Sequence, residues 1–189
     1  MPDRSVPGLC IVWTKTLPDS WLLPKPNQLT RTSVISFARE VFKSYVALVY
    51  GVVEQESGRI EQPIARDPRN RTRMAIVPGG RGALSLYKIR RSYDAFTLLD
   101  IELKTGRTHQ IRVHLAWLKH PVVADELYGG GRYNSVRDVQ LRARIRRLKR
   151  QFLHAEQLSF RHPQTGEQMK FVAPLPADLT QLLAAIETR

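Results

Sequence analysis

Across one glycine the hydrophobic period of this chain changes from two to about 3.6, and that change fixes which elements can form on either side. Leu99, Ile101 and Leu103 alternate, as residues on one face of a strand do. After Gly106, Ile111, Leu115 and Leu118 recur on one helical face, with Thr108 placed to cap the helix and Pro121 to end it after Lys119 and His120. A strand over Thr108 to Leu115 alone also fits the period, but the length of the pattern favours a helix. The junction, Leu103-Lys104-Thr105-Gly106-Arg107-Thr108-His109-Gln110-Ile111-Arg112-Val113-His114-Leu115, sets two arginines, two histidines and a glutamine inside an apolar pattern. Polar groups so dense in a buried frame point to a site.

The remaining elements follow from the same signals. Gly8 to Trp13 reads as a short buried strand, and Leu17 to Asn27, with Pro18, Pro24 and Pro26, as a loop. Val34, Phe37 and Val41 predict an amphipathic helix from Ser33 to Ser44 feeding a strand from Tyr45 to Val49. Pro63 to Pro78 carries Arg66, Arg69, Arg71 and Arg73 without periodicity and reads as a basic surface loop. Ala83 to Arg90 and Ala95 to Leu103 form a hairpin turning at Ser92-Tyr93-Asp94. Ser135 to Gln151 reads as an arginine-rich helix, Phe152 to Phe160 and Met169 to Val172 as a second hairpin, and Ala177 to Ile186 as a closing helix. The fold class expected is α+β, a mixed, largely antiparallel sheet with flanking helices.

Charge narrows the partner. Thirty Lys and Arg face seventeen Asp and Glu among 189 residues, a formal charge of +13, which favours a polyanion, with nucleic acid first. A core is affordable at 42% hydrophobic residues, no run of 18 apolar residues exists, and no basic helix with a bulky apolar face argues for a membrane surface. The start Met1-Pro2-Asp3-Arg4-Ser5 lacks the apolar segment of a signal peptide, and the single cysteine, Cys10, cannot form an internal disulfide, so the expected location is cytoplasmic.

The Gly106-Arg107-Thr108-His109-Gln110-Ile111-Arg112 stretch resembles the signature of the RluA-type pseudouridine synthases, which isomerise uridines in structured RNA. Phe42-Lys43-Ser44-Tyr45-Val46-Ala47-Leu48-Val49, Pro63 to Pro68, Leu153-His154-Ala155-Glu156 and Leu158 to Pro163 resemble that family too, so the likeness runs from about Asp3 to Pro176. It implies a single catalytic domain over residues 1–189, without the family's usual N-terminal strands or N-terminal RNA-binding domain. The family's aspartate stands five residues before a glycine that opens a strand, and Asp3 has that register to Gly8, with Met1-Pro2 in place of the family's usual His-Arg-Leu.

The resemblance implies three catalytic residues. Asp3 acts at the ribose, either attacking C1′ or removing a nearby proton, Arg112 holds Asp3 anionic, and Tyr45 lies against the base. The plainer alternatives are a surface salt bridge for Arg112 and a core aromatic for Tyr45. RNA contacts are expected from Arg71, Arg73, Arg107, His109, Gln110, Arg142 and Arg146, while His114 suits a hydrogen-bonded core position. The isomerisation is redox-neutral, so no cofactor and no metal are expected, and the partner is ribosomal or transfer RNA with no obligate protein partner. Two other classes stay open: an RNA-binding relative without catalysis, and a metal-dependent nuclease, for which His109 and His114 lack ligand spacing and an accompanying carboxylate cluster.

Overall fold

A computed structural model describes residues 41–162 and 165–188. The readings for Gly8 to Trp13, Leu17 to Asn27 and the greater part of Ser33 to Ser44, together with Asp3, lie outside the described residues.

The centre of the fold is β1 (Phe42–Tyr50), whose Val46 to Tyr50 are all buried. A continuous apolar run is what a strand covered on both faces requires. β1 pairs with β6 (Phe96–Leu103) on one side and β7 (Leu153–Arg161) on the other, with a bulge between Ser44 and Tyr45 against β7. Beyond β6 come β5 (Leu84–Ser92) and β2 (Ser57–Glu61), and beyond β7 comes β8 (Gln168–Val172), so the sheet order is β2-β5-β6-β1-β7-β8. Every pairing in it is antiparallel. Both expected hairpins, β5–β6 and β7–β8, are present.

Three α-helices flank this sheet among the described residues: α1 (Gln110–Trp117), α2 (Val139–Arg147) and α3 (Ala177–Glu187). α2 turns Leu141 and Ile145 inward, one helical turn apart, and leaves Arg144, Arg146 and Arg147 exposed. α3 buries Leu179, Leu182 and Ile186 by the same spacing. No described helix is long and apolar enough to cross a membrane.

Four boundaries depart from the sequence reading. Phe42 to Ser44 is strand, because pairing of Ser44 with Glu102 and of Phe42 with Ser159 outweighs the helical spacing of Val34, Phe37 and Val41. The expected loop at Pro63 to Pro78 holds a separate hairpin of β3 (Ile64–Arg66) and β4 (Met74–Ile76). Asp67 closes it by accepting the amides of Arg69 and Asn70 at 2.9 and 3.3 Å. α1 begins one residue later than Thr108 would set it, with His109 as N-cap in the left-handed region at φ 55°. The arginine-rich helix is shorter than Ser135 to Gln151: a 3₁₀ turn occupies Arg132–Ser135, and α2 starts after Asp138, whose side chain accepts the Leu141 amide at 2.7 Å.

Candidate active site

The polar residues of the junction divide into two groups. One anchors α1. Gln110, 2% exposed, donates to the Leu84 carbonyl and to Ser85 Oγ, both at 3.0 Å, and accepts from the Thr105 hydroxyl and the Arg107 amide. His114, fully buried, meets Ser85 Oγ at 2.9 Å through Nδ1 and the Gln62 carbonyl at 3.2 Å through Nε2. A carbonyl can only accept, so Nε2 carries the proton and Nδ1 takes the Ser85 hydroxyl hydrogen. Burial holds the His114 pKa below its ordinary value, keeping the ring neutral. The RNA contact expected of Gln110 is not what this placement provides, because its amide is occupied inside the protein; His114 has the core position expected of it.

The second group faces the turn after α1. Arg112 donates from Nε to Asp125 Oδ2 at 2.6 Å and from Nη2 to Asp125 Oδ1 at 2.8 Å, a two-point pair in which the Asp125 side chain is 0% and the Arg112 side chain 15% exposed. Asp125 Oδ1 also accepts the amides of Leu127 and Tyr128, both at 3.0 Å. Gly129 makes this turn possible: its amide donates to the Asp125 carbonyl at 2.8 Å, and a Cβ there would lie 2.3 Å from that oxygen. The Arg112 guanidinium lies 4.9 Å from the Tyr128 ring centroid. Arg112 Nη1 makes no hydrogen bond among the described residues.

Tyr128 ties this centre to the β3–β4 hairpin. Its hydroxyl accepts the Met74 amide at 2.9 Å and lies 3.0 Å from His109 Nδ1. Partial burial and the neighbouring Arg112 cation lower the His109 pKa, in keeping with a neutral ring. Arg73 donates to Asp67 at 2.7 Å and thereby lowers the Asp67 pKa.

The other expected residues are spread over several elements. Tyr45 is half-buried on β1 between Ile101 and Ala155, and burial raises its pKa. Among the described residues no hydrogen bond or ring contact joins it to Arg112. Arg107 is exposed and donates to the Gly82 carbonyl at 3.2 Å, and Arg71 is exposed on the β3–β4 hairpin. Arg142 is half-buried and Arg146 exposed on α2, the latter 5.7 Å from the Tyr133 ring centroid. Asp125 and Tyr128 carry no periodic signal; the one hint is a carboxylate and an aromatic just before Gly129-Gly130-Gly131.

Residues 31–117 match the family model described as RNA pseudouridylate synthase. The chain is 45% identical over 150 residues to "Ribosomal large subunit pseudouridine synthase D" of Xanthomonas campestris pv. campestris, covering 79% of this chain and 45% of that protein. It is 38% identical over 186 residues to the protein of the same name from Pasteurella multocida, covering 98% of this chain and 54% of that one. The chain belongs to the RNA pseudouridylate synthase family. Its fold agrees with that of the solved human RNA pseudouridylate synthase domain containing 1, at TM-score 0.60 and 26% identity, over 85% of this chain and 74% of that one. The chain spans about half the length of the curated pseudouridine synthases it matches.

Proposed function

We propose that this protein isomerises uridine to pseudouridine in large-subunit ribosomal RNA. The observation that carries the reading is Arg112, set on α1 by a two-point pair to buried Asp125, with Nη1 unengaged among the described residues. In this reading the carboxylate of Asp3 takes that remaining edge, and the cation keeps it ionised. Asp3 then acts at the ribose, by attack at C1′ or by removal of a neighbouring proton. The C1′–N1 bond breaks, the uracil turns, the C1′–C5 bond forms, and the hydrogen at C5 leaves as a proton. Tyr45 lies against the detached uracil and offers both a ring face and a hydroxyl.

Binding is assigned to the basic surfaces. Arg71 and Arg73 on the β3–β4 hairpin, Arg107 ahead of α1, and Arg142 and Arg146 on α2 contact RNA phosphates, and His109 helps orient the target. The target uridine leaves its stack to reach the site, and recognition uses RNA shape and unpaired bases. The ribosomal target is taken from the names of the relatives, and a cytoplasmic place of work goes with it. The test is carbodiimide mapping of pseudouridine in large-subunit rRNA from cells with and without the gene. A uridine modified only when the gene is present supports the assignment, and identical maps overturn it.

A further inference from the structure

The β3–β4 hairpin forms a small sheet of its own, with Ile64 also bridged to Arg81, and α1 lies against β4. Between them is an open cleft of about 360 Å³, walled by Met74 and Ile76 of β4, Val113 and Trp117 of α1, and Leu127 and Tyr128 of the turn that follows. Trp117 is 48% exposed, although Val113 and His114, one turn earlier on α1, are buried. A large indole left to water beside other apolar side chains marks a surface that some partner covers.

The charge around the cleft says which partner. Residues 63–81 carry Arg66, Arg69, Arg71, Arg73 and Arg81 against one acid, Asp67, which Arg73 already neutralises. Arg73 itself lines the cleft, and Arg66, Arg69, Arg71 and Arg81 are exposed. An aromatic slot bordered by Arg73 and next to an arginine-rich hairpin fits a flat apolar ring that carries an anion, which is a nucleobase with its phosphate. The cleft is also continuous with the Arg112 centre, since the Tyr128 ring that forms part of its wall lies under the Arg112 guanidinium.

We propose that this cleft is a second base subsite, taking an unpaired nucleobase that flanks the target uridine, stacked on Trp117 with its phosphate against the hairpin arginines. The subsite rests on the RNA reading above and adds to it a reader of unpaired sequence beside the target.

The test measures binding of fluorescein-labelled hexauridylate and of an abasic ribose-phosphate hexamer of the same length, using the full chain, Trp117→Ala and Trp117→Phe. Trp117 is half in solvent, so both variants fold, which thermal melting verifies. Trp117→Ala weakens hexauridylate binding about tenfold, as loss of one stacked base does, and leaves the abasic strand unaffected. Trp117→Phe, which keeps an aromatic face, recovers most of the affinity. Unchanged affinity in Trp117→Ala, or an equal loss on the abasic strand, overturns the subsite. So does concentration-dependent self-association that Trp117→Ala abolishes without any dependence on bases. Tritium release from rRNA labelled at uridine C5, run on the same preparations, separates the two readings. Release by the parent with Trp117-independent binding sinks the subsite alone, whereas Trp117-dependent binding without release keeps the subsite and sinks the isomerase.

Discussion

Removing either partner of the Arg112–Asp125 pair strands a charge where water barely reaches, since the two side chains are 15% and 0% exposed. Asp125→Ala and Arg112→Ala should each lower stability by about 3 kcal/mol, and the double variant by clearly less than the sum. Urea denaturation of the three variants measures this, and strict additivity would remove the pair from the account. Arg112→Lys separates stability from chemistry because it keeps the charge and loses the planar fork. Its turnover should fall about 100-fold while RNA affinity stays near that of the parent, since misplacing a reacting group costs that much. Equal losses in turnover and affinity would contradict the roles given to Arg112 and the basic surfaces. Arg112 was legible because it lies in a dense polar motif. Asp125 was not, because it sits in a turn thirteen residues beyond Arg112 and loops carry no hydrophobic period.

The buried histidine gives a prediction in pH. A His114 pKa held below its ordinary value means that the unfolded chain takes up a proton which the folded chain resists. Stability is then full above about pH 6.5, the ordinary histidine value, and declines as pH falls through it. His109 adds in the same direction. Urea midpoints at pH 7.5 and 5.5 should differ in the parent and differ less in His114→Gln, whose amide can still donate to Gln62 and accept from Ser85. An unchanged difference in the variant would show that other groups set the slope.

At the scale of elements, the turn from α1 to Asp125 stores backbone strain. Ala124 has φ 59°, in a region that a side chain disfavours. Ala124→Gly should raise stability by up to about 1 kcal/mol, the relief at that φ exceeding the added flexibility of the unfolded chain. A lower melting temperature for the variant would contradict this. Gly129→Ala should do the opposite, because its Cβ would push on the Asp125 carbonyl 2.3 Å away. The β5–β6 hairpin was legible because strands of nine and eight residues hold apolar side chains at two-residue spacing, as at Leu99, Ile101 and Leu103, while the β7–β8 hairpin, whose second strand has five residues, was marked by the Pro and Gly between its strands. The β3–β4 hairpin was not, because its strands are three residues long and Asp67, through local hydrogen bonds, shapes it. The cap of α1 was misplaced for a related reason: Gln110 reaches back to the Arg107 amide and ties down the start of the helix from within, so Thr108 has no capping part.

Across the whole molecule, an excess of positive charge that composition alone reveals takes a definite shape. α2 buries only Leu141 and Ile145 and presents arginines elsewhere, and the β3–β4 hairpin adds a second basic surface. RNA affinity should fall linearly on a log–log plot against salt, and Arg142→Gln with Arg146→Gln should reduce the slope by about 1.5 if each meets one phosphate. An unaltered slope would take α2 out of the RNA interface. What composition could not supply was the location of the charge relative to Arg112, which depends on long-range pairing of the sheet.

The central claim is that Arg112 holds a carboxylate at a uridine's ribose, and tritium release from large-subunit rRNA labelled at uridine C5 tests it most directly, since joining C1′ to C5 must expel that hydrogen. Release by the parent, with none from Asp3→Asn and about a hundredth of the rate from Arg112→Lys, is the predicted result. Release that continues unabated in Asp3→Asn, or no release by the folded parent on RNA from cells lacking the gene, would contradict it.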